Sequence, residues 1–205
     1  MRHLQSELLL ALIKTVMSER FAALIASVTG VGVNLPLFYE GVLMENIKLY
    51  EIDNQYVDYI SSIAAHAFHN KQPGQRHERK YIGVLLVVNG MNYFAPLSSF
   101  KEKHLHMAET VDFIKIKRYS VINLNNMFPV PDGLASYVDI SKEKDPKYKS
   151  LLLAEYRQIK SLQERIRKNA EVVYKHRLEN GDMTKLGKRC NDFPALEAAC
   201  KKYRK

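Results

Sequence analysis

Asn89-Gly90 constrains this chain more tightly than any other two residues in it. The pair separates two apolar runs within YIGVLLVVNGMNYFAPL. Asn and Gly both tolerate positive φ, and a two-residue turn built from them has the twist that lets its flanking strands pair antiparallel. The spacing predicts a hairpin over residues 81–97, so the rest of the chain has to fold onto an antiparallel sheet. NIKLYEI, VDFIKIKR and SVINLNNMFPVP supply further strands, the last closed by Pro129 and Pro131.

Helices are expected around that sheet. Asp53 or Asn54 can cap one whose apolar positions are Tyr56, Ile60, Ile63 and Ala67. Asp145 and Pro146 open a long one, with Tyr148, Leu152, Tyr156, Ile159, Ile166, Ala170 and Val173 along one face, and Asn180-Gly181 ends it. A last helix restarts at Asp192 or Phe193, with Pro194 in its first turn. The expected class is α+β: a twisted antiparallel sheet packed by helices, with a long helix in the C-terminal half.

Charge separates the chain into blocks. Residues 1–67 carry a net −3, residues 68–118 +5, residues 119–141 −2 and residues 142–205 +9. Two basic blocks suit a polyanion such as nucleic acid or an anionic membrane surface. The apolar stretch within residues 1–43 is interrupted by Lys14, Glu19 and Arg20, so no uncharged run reaches the ~18 residues of a spanning helix. Glu40-Gly41 can be encoded by purine-rich bases placed like a ribosome-binding site before the Met44 codon. Residues 1–43 are therefore expected to be a leader from a mis-assigned start, and residues 44–205 a single domain; a membrane anchor at 1–43 is the alternative. Cys190 and Cys200 form no disulfide framework and are expected to be buried apolar groups in a protein of the reducing cytoplasm.

The common phosphate-loop, dinucleotide and zinc-peptidase motifs are missing from the sequence. His66 with His69, and His104 with His106, match no common metal spacing and have no cysteine or acidic ligand beside them, so neither metal nor cofactor is expected. What stands out is FAPLSSFKEKH at residues 94–104, with two hydroxyls, two lysines and a histidine just after an apolar strand. Such a cluster suits cleavage of RNA by attack of its own 2′-hydroxyl on the adjacent phosphorus. That reaction needs proton transfers at two oxygens and fixed cations or hydroxyl donors around the phosphate. A non-catalytic RNA-binding module would use the same surface, and stays open on these residues alone.

YIGVLLVVNGMNYFAPLSSFKEKH, VINLNNMFPVP, DPKYKSLLLAEYRQI and CNDFPALEAACKKYR together resemble the RNA-cleaving toxins of type III toxin-antitoxin systems, the ToxN/AbiQ family, over residues 44–205. The first segment is the most specific, with an aromatic-aliphatic-Gly strand start and a Pro-Leu-[Ser/Thr]-Ser-x-Lys turn. The resemblance implies a compact fold similar to Kid/MazF-type toxins and a metal-independent endoribonuclease leaving 2′,3′-cyclic phosphate and 5′-hydroxyl ends. It implies an inhibitory repeat-encoded RNA that the toxin also processes within a closed complex, cellular or phage RNA as substrate, and phage defence by abortive infection. At the cleavage site it places Ser98, Ser99 and Lys101, a tyrosine at Tyr56, and a basic position at Arg79 with Lys80 beside it. A family tyrosine in the preceding loop falls near Gln75, with His77 or Tyr81 as its substitute. The candidate RNA contacts are Gln75, Arg76 and His77 in the basic loop, Lys103 and His104 after the turn, and Lys175 and Arg177 in the C-terminal half.

Overall fold

Asn89 and Gly90 adopt φ of 50° and 75°, the pair of positive values that a type I′ hairpin turn requires. Val88 and Met91 pair directly across it. The computed structural model describes residues 46–64, 66, 70 and 77–204; Gln75, Arg76, His69 and the expected leader lie outside them. Among the described residues the strands are β1 (Lys48–Ile52), β2 (Tyr81–Gly83), β3 (Val87–Val88), β4 (Met91–Ser99), β5 (Phe113–Ile116), β6 (Ser120–Asn123), β7 (Phe128–Val130) and β8 (Ala135–Tyr137). The helices are α1 (Asn54–Ser61), α2 (Lys103–His106), α3 (Pro146–Ser161), α4 (Gln163–Asn180) and α5 (Phe193–Lys202). All strand pairs are antiparallel, in the order β5-β6-β4-β2-β1-β8, with β3 and β7 also paired to β4. The class is α+β, as the sequence implies.

β4 organises the sheet. Its first half pairs with β3 and β7 and its second half with β2 and β6. Tyr93 and Leu97 donate their N–H groups toward the β3/β2 side, so by alternation residues 94, 96 and 98 face the β7/β6 side. Pro96, which has no N–H, sits between Phe94, the last residue paired with β7, and Leu97, the first paired with β6. A proline is tolerated inside this strand because its neighbour changes at that point.

The first arm of the hairpin is broken where one strand was expected. Leu85 N donates to Tyr93 O and Tyr93 N to Leu86 O, so two residues oppose one and the arm bulges between β2 and β3. Gly83 precedes the bulge. A Cβ there would overlap the Phe94 ring, which accounts for the glycine of the strand-start motif.

Alternation along β4 sends Tyr93, Ala95 and Leu97 into one apolar cluster with Leu152, Ile159, Ile166, Ala170 and Val173 of α3 and α4. It sends Phe94 into a second, with Val57 and Ile60 of α1, Phe128, and Leu196 of α5. Each fully buried side chain of this size contributes roughly 1.5–3 kcal/mol. Cys190 and Cys200 are free and buried, and burial pushes the Cys190 thiol up to about 11.

Asp53, Asp145 and Asp192 cap α1, α3 and α5 with their carboxylates. The long C-terminal helix is divided, because Leu162 (φ −106°, ψ 3°) leaves helical geometry between α3 and α4. Gly181, at φ 50°, ends α4. The segment expected as one strand over residues 120–131 splits into β6, a 3-10 turn at Leu124–Asn126, and β7. α1 stops at Ser61, short of Ile63, which is exposed. No helix among the described residues is long and apolar enough to cross a membrane.

Candidate active site

The end of β4 forms one wall of a groove of about 570 Å³. Ser98 and Ser99 close the strand, Lys101 and Lys103 follow on the turn into α2, and Arg79 and Lys80 enter from the segment before β2. α3 supplies the facing wall through Tyr148, Leu151 and Glu155, and β6 contributes Ser120 and Asn123. Residues widely separated in the chain are thus gathered around one opening, with more basic than acidic side chains.

The turn is held by His104. Its Nδ1 accepts from Lys101 N at 3.0 Å, while His104 N donates to Lys101 O at 2.8 Å. The ring is 6% exposed and lies edge-on to Phe100 and close to Phe113. Burial, with the ammonium groups of Lys103, Lys101 and Lys115, holds its pKa below the ordinary value. The imidazole is therefore neutral at pH 7, and because Nδ1 accepts, its proton is on Nε2. His104, a candidate RNA contact in the sequence, lines the groove, and its hydrogen bonds fix the turn. Lys101 and Lys103 are exposed and make no ion pair among the described residues.

The two basic residues before β2 differ. The Arg79 guanidinium donates to Ser98 Oγ at 3.2 Å, which occupies a lone pair and leaves the hydroxyl proton free for another acceptor. Lys80 is 9% exposed, is paired with Glu51, and stands 5.8 Å from the centre of the Tyr148 ring. His77 stacks on the same ring: its imidazole and the Tyr148 ring are 3.7 Å apart and 8° from parallel. Burial, then the carboxylates of Glu155, Glu143 and Glu51, pushes the Tyr148 phenol up.

Three expected site residues lie elsewhere. Tyr56 is fully buried in the second apolar cluster, with its hydroxyl donating to Pro129 O at 2.6 Å. It does not line the groove, because its place on the stripe of α1 turns it into the core. Arg177 has a side chain only 10% exposed, paired with Asp182 at 2.6 Å and Asp192 at 3.8 Å. It ties the end of α4 to the cap of α5 instead of facing a phosphate. Lys175 is exposed and paired with Glu171 one helical turn back, also away from the groove lining. Of the histidines, His66 Nε2 is hydrogen-bonded to Lys188 O at 3.2 Å, and His104 Nδ1 is committed to Lys101.

Sequence reasoning missed Tyr148, Glu155 and Ser120 as parts of this site. For Glu155 a signal exists. It falls seven residues after Tyr148 and four before Ile159, which puts a carboxyl on the apolar face of α3. Burial pushes that carboxyl up, partly offset by the Ser120 hydroxyl.

The model of the family described as Toxin ToxN, type III toxin-antitoxin system, matches residues 48–201. The chain is 33% identical over 174 residues to the endoribonuclease ToxN of Bacillus thuringiensis subsp. kurstaki, covering 78% of this chain and 86% of that protein. It is 28% identical to the endoribonuclease AbiQ of Lactococcus lactis subsp. lactis, covering 82% and 95%. A solved structure from work on selective toxin inhibition by a non-coding RNA pseudoknot superposes with a TM-score of 0.68 at 32% identity, covering 78% of this chain and 98% of that one. A structure of AbiQ, at 24% identity and a TM-score of 0.64, shares the fold. The groove, its Ser-x-Lys turn and these matches lead to one assignment: the chain belongs to the ToxN family of toxins of type III toxin-antitoxin systems.

Proposed function

We propose that this groove is the cleavage site of an endoribonuclease toxin that works without a metal ion. The observation that carries the reading is the convergence of Ser98, Ser99, Lys101, Arg79 and Lys80 on one opening. In the reaction, the 2′-oxygen of the RNA bonds to the adjacent phosphorus as the bond from phosphorus to the 5′-oxygen breaks. The 2′-hydroxyl loses its proton and the 5′-oxygen gains one, leaving a 2′,3′-cyclic phosphate and a 5′-hydroxyl. Lys101 and Arg79 offset the charge that builds on the phosphate oxygens, with Lys80 beside them, while Ser98 and Ser99 donate hydrogen bonds to the same oxygens. His77, Lys103 and the Tyr148 ring stand where flanking nucleotides would pass.

A small repeat-encoded RNA is the proposed inhibitor, bound in a closed protein-RNA assembly and processed by the toxin itself. The similarity to a toxin described as inhibited by an RNA pseudoknot supports this. Cellular or phage RNA is the proposed substrate, the cytoplasm its place of action, and abortive infection the outcome. Residues 44–205 form the proposed toxin domain, with residues 1–43 outside it.

The test is incubation of the purified protein with mixed RNA in excess EDTA, followed by analysis of the new ends. Cyclic phosphate and 5′-hydroxyl ends are expected. Activity that disappears in chelator and returns with zinc or manganese would overturn the metal-free mechanism. RNA that is bound and never cut would identify a binding module.

A further inference from the structure

Ser120 is 1% exposed, and among the described residues its hydroxyl has no hydrogen-bond partner. Buried hydroxyls without partners are uncommon, because each loses its hydrogen bonds to water with nothing in return. Its position gives the hydroxyl two candidate partners. Ser120 pairs directly with Ser99 across β4 and β6. Phe100 N donates to Tyr119 O in the adjacent pair, so the Ser99–Ser120 pair is the non-hydrogen-bonded kind, in which opposed side chains share a face and stand closest. On the other side is Glu155 of α3, a carboxyl 5% exposed in the lining of the same groove, near enough for the Ser120 hydroxyl to act on it.

Resting on the cleavage reading above, we propose that Glu155 and Ser120 form a buried hydrogen-bond chain that aims the Ser99 hydroxyl at the scissile phosphate. The chain closes by rotation of the Ser120 side chain. The neutral Glu155 carboxyl donates to Ser120 Oγ, and Ser120 donates to Ser99 Oγ. Ser99, its oxygen now occupied, directs its own proton outward to a phosphate oxygen. No covalent bond changes along the chain, so Glu155 and Ser120 are positioning residues. The direction of transfer requires an uncharged carboxyl at its head, the form favoured by burial of Glu155, which is 5% exposed, and disfavoured by the Ser120 hydroxyl whenever that hydroxyl donates to it. An ionised carboxylate would instead accept from Ser120 and turn the Ser99 proton inward, away from substrate. It would also add negative charge to a site that has to receive a phosphate.

The experiment compares full-length wild type, Ser120→Ala, Glu155→Ala, Glu155→Gln and Ser99→Ala, and Ser120→Ala, Glu155→Ala and Glu155→Gln each combined with Ser99→Ala. Single-turnover cleavage of a short RNA, affinity for that RNA and thermal unfolding are all measured. Ser120→Ala and Glu155→Ala are expected to slow cleavage roughly 10- to 100-fold with affinity unchanged, since a misaimed donor costs rate and not binding. Glu155→Gln, which keeps an uncharged donor of similar shape, recovers most of the rate lost in Glu155→Ala. In the Ser99→Ala background none of these changes lowers the rate further, because the group they position is gone. If their effects multiply with that of Ser99→Ala, or if Glu155→Gln is as slow as Glu155→Ala, the chain is overturned. Should Glu155→Ala fail to fold, Ser120→Ala and Glu155→Gln decide the matter. A wild type that cuts no RNA overturns the cleavage reading and this one together, whereas a cutting wild type indifferent to both positions overturns this one alone.

Discussion

Ser99 and Lys101 are both exposed and belong to the turn, so their removal tests chemistry with little cost to the fold. Ser99→Ala and Lys101→Ala are each expected to lower cleavage ~10²- to 10³-fold, the usual loss for one transition-state donor. Unfolding by urea would show their stabilities close to wild type. Gly83→Ala is expected to do the reverse. The added methyl meets the Phe94 ring, and relieving that overlap costs roughly 1–3 kcal/mol, seen as a lower urea midpoint with the residual folded fraction still active. The exposed turn that carries Ser99 and Lys101 was legible from sequence because a polar, basic run directly follows an apolar strand, while their place in a cleavage site came from the family resemblance. Tyr56 was not legible, because a tyrosine at the start of an apolar stripe reads equally as core or as groove lining, and only the hydrogen bond to Pro129 O decides it.

Elements carry what single residues cannot. α2 is one turn long and depends on the paired bonds between Lys101 and His104, which gives the turn a pH limit. His104 has a folded pKa below its unfolded value, so the unfolded chain takes up the proton first as pH falls. The stability this group contributes is complete above about 6.5 and is lost as pH drops from there through the lowered folded value. Protonated Nδ1 cannot accept from Lys101 N. Cleavage should therefore weaken on the acid side, and a His104→Gln variant should show a flatter acid limb in a rate-pH series. At the α4–α5 junction, Arg177→Ala is expected to cost roughly 1 kcal/mol, its acidic partners being well exposed, measured by thermal unfolding, with RNA affinity unchanged. Sequence placed most helix starts well because Asp-Pro and Asp caps act locally. It did not place the breaks at Leu162 and Leu85–Leu86, since each is set by what packs across from it.

At the scale of the whole molecule, Arg79, Lys101 and Lys103 of the first basic block gather into a cationic mouth, while Arg165, Lys175, Arg177 and Arg189 of the second are paired with acids. RNA affinity should follow the mouth. With about 0.7 counterions released per phosphate on a single strand, contacts from Arg79, Lys101 and Lys103, Lys80 being paired with Glu51, give a log-log salt slope near −2. Filter binding of Ser99→Ala protein at several salt concentrations measures it, and Lys101→Ala or Lys103→Ala should each flatten the slope. A chain beginning at Met44 is expected to fold and cleave as the full chain does, checked by comparing melting and cleavage of the two. The single strand β4 belongs to every part of this picture: its first half fills both apolar clusters and its last two residues are the proposed cleavage serines, lining the groove. For a cell escaping its own toxin, that strand is one genetic target with two ways to fail. Survivors selected on toxin expression should carry substitutions along all of residues 91–99, those near Tyr93 and Phe94 regaining lethality in the cold, and those at Ser99 harmless at every temperature.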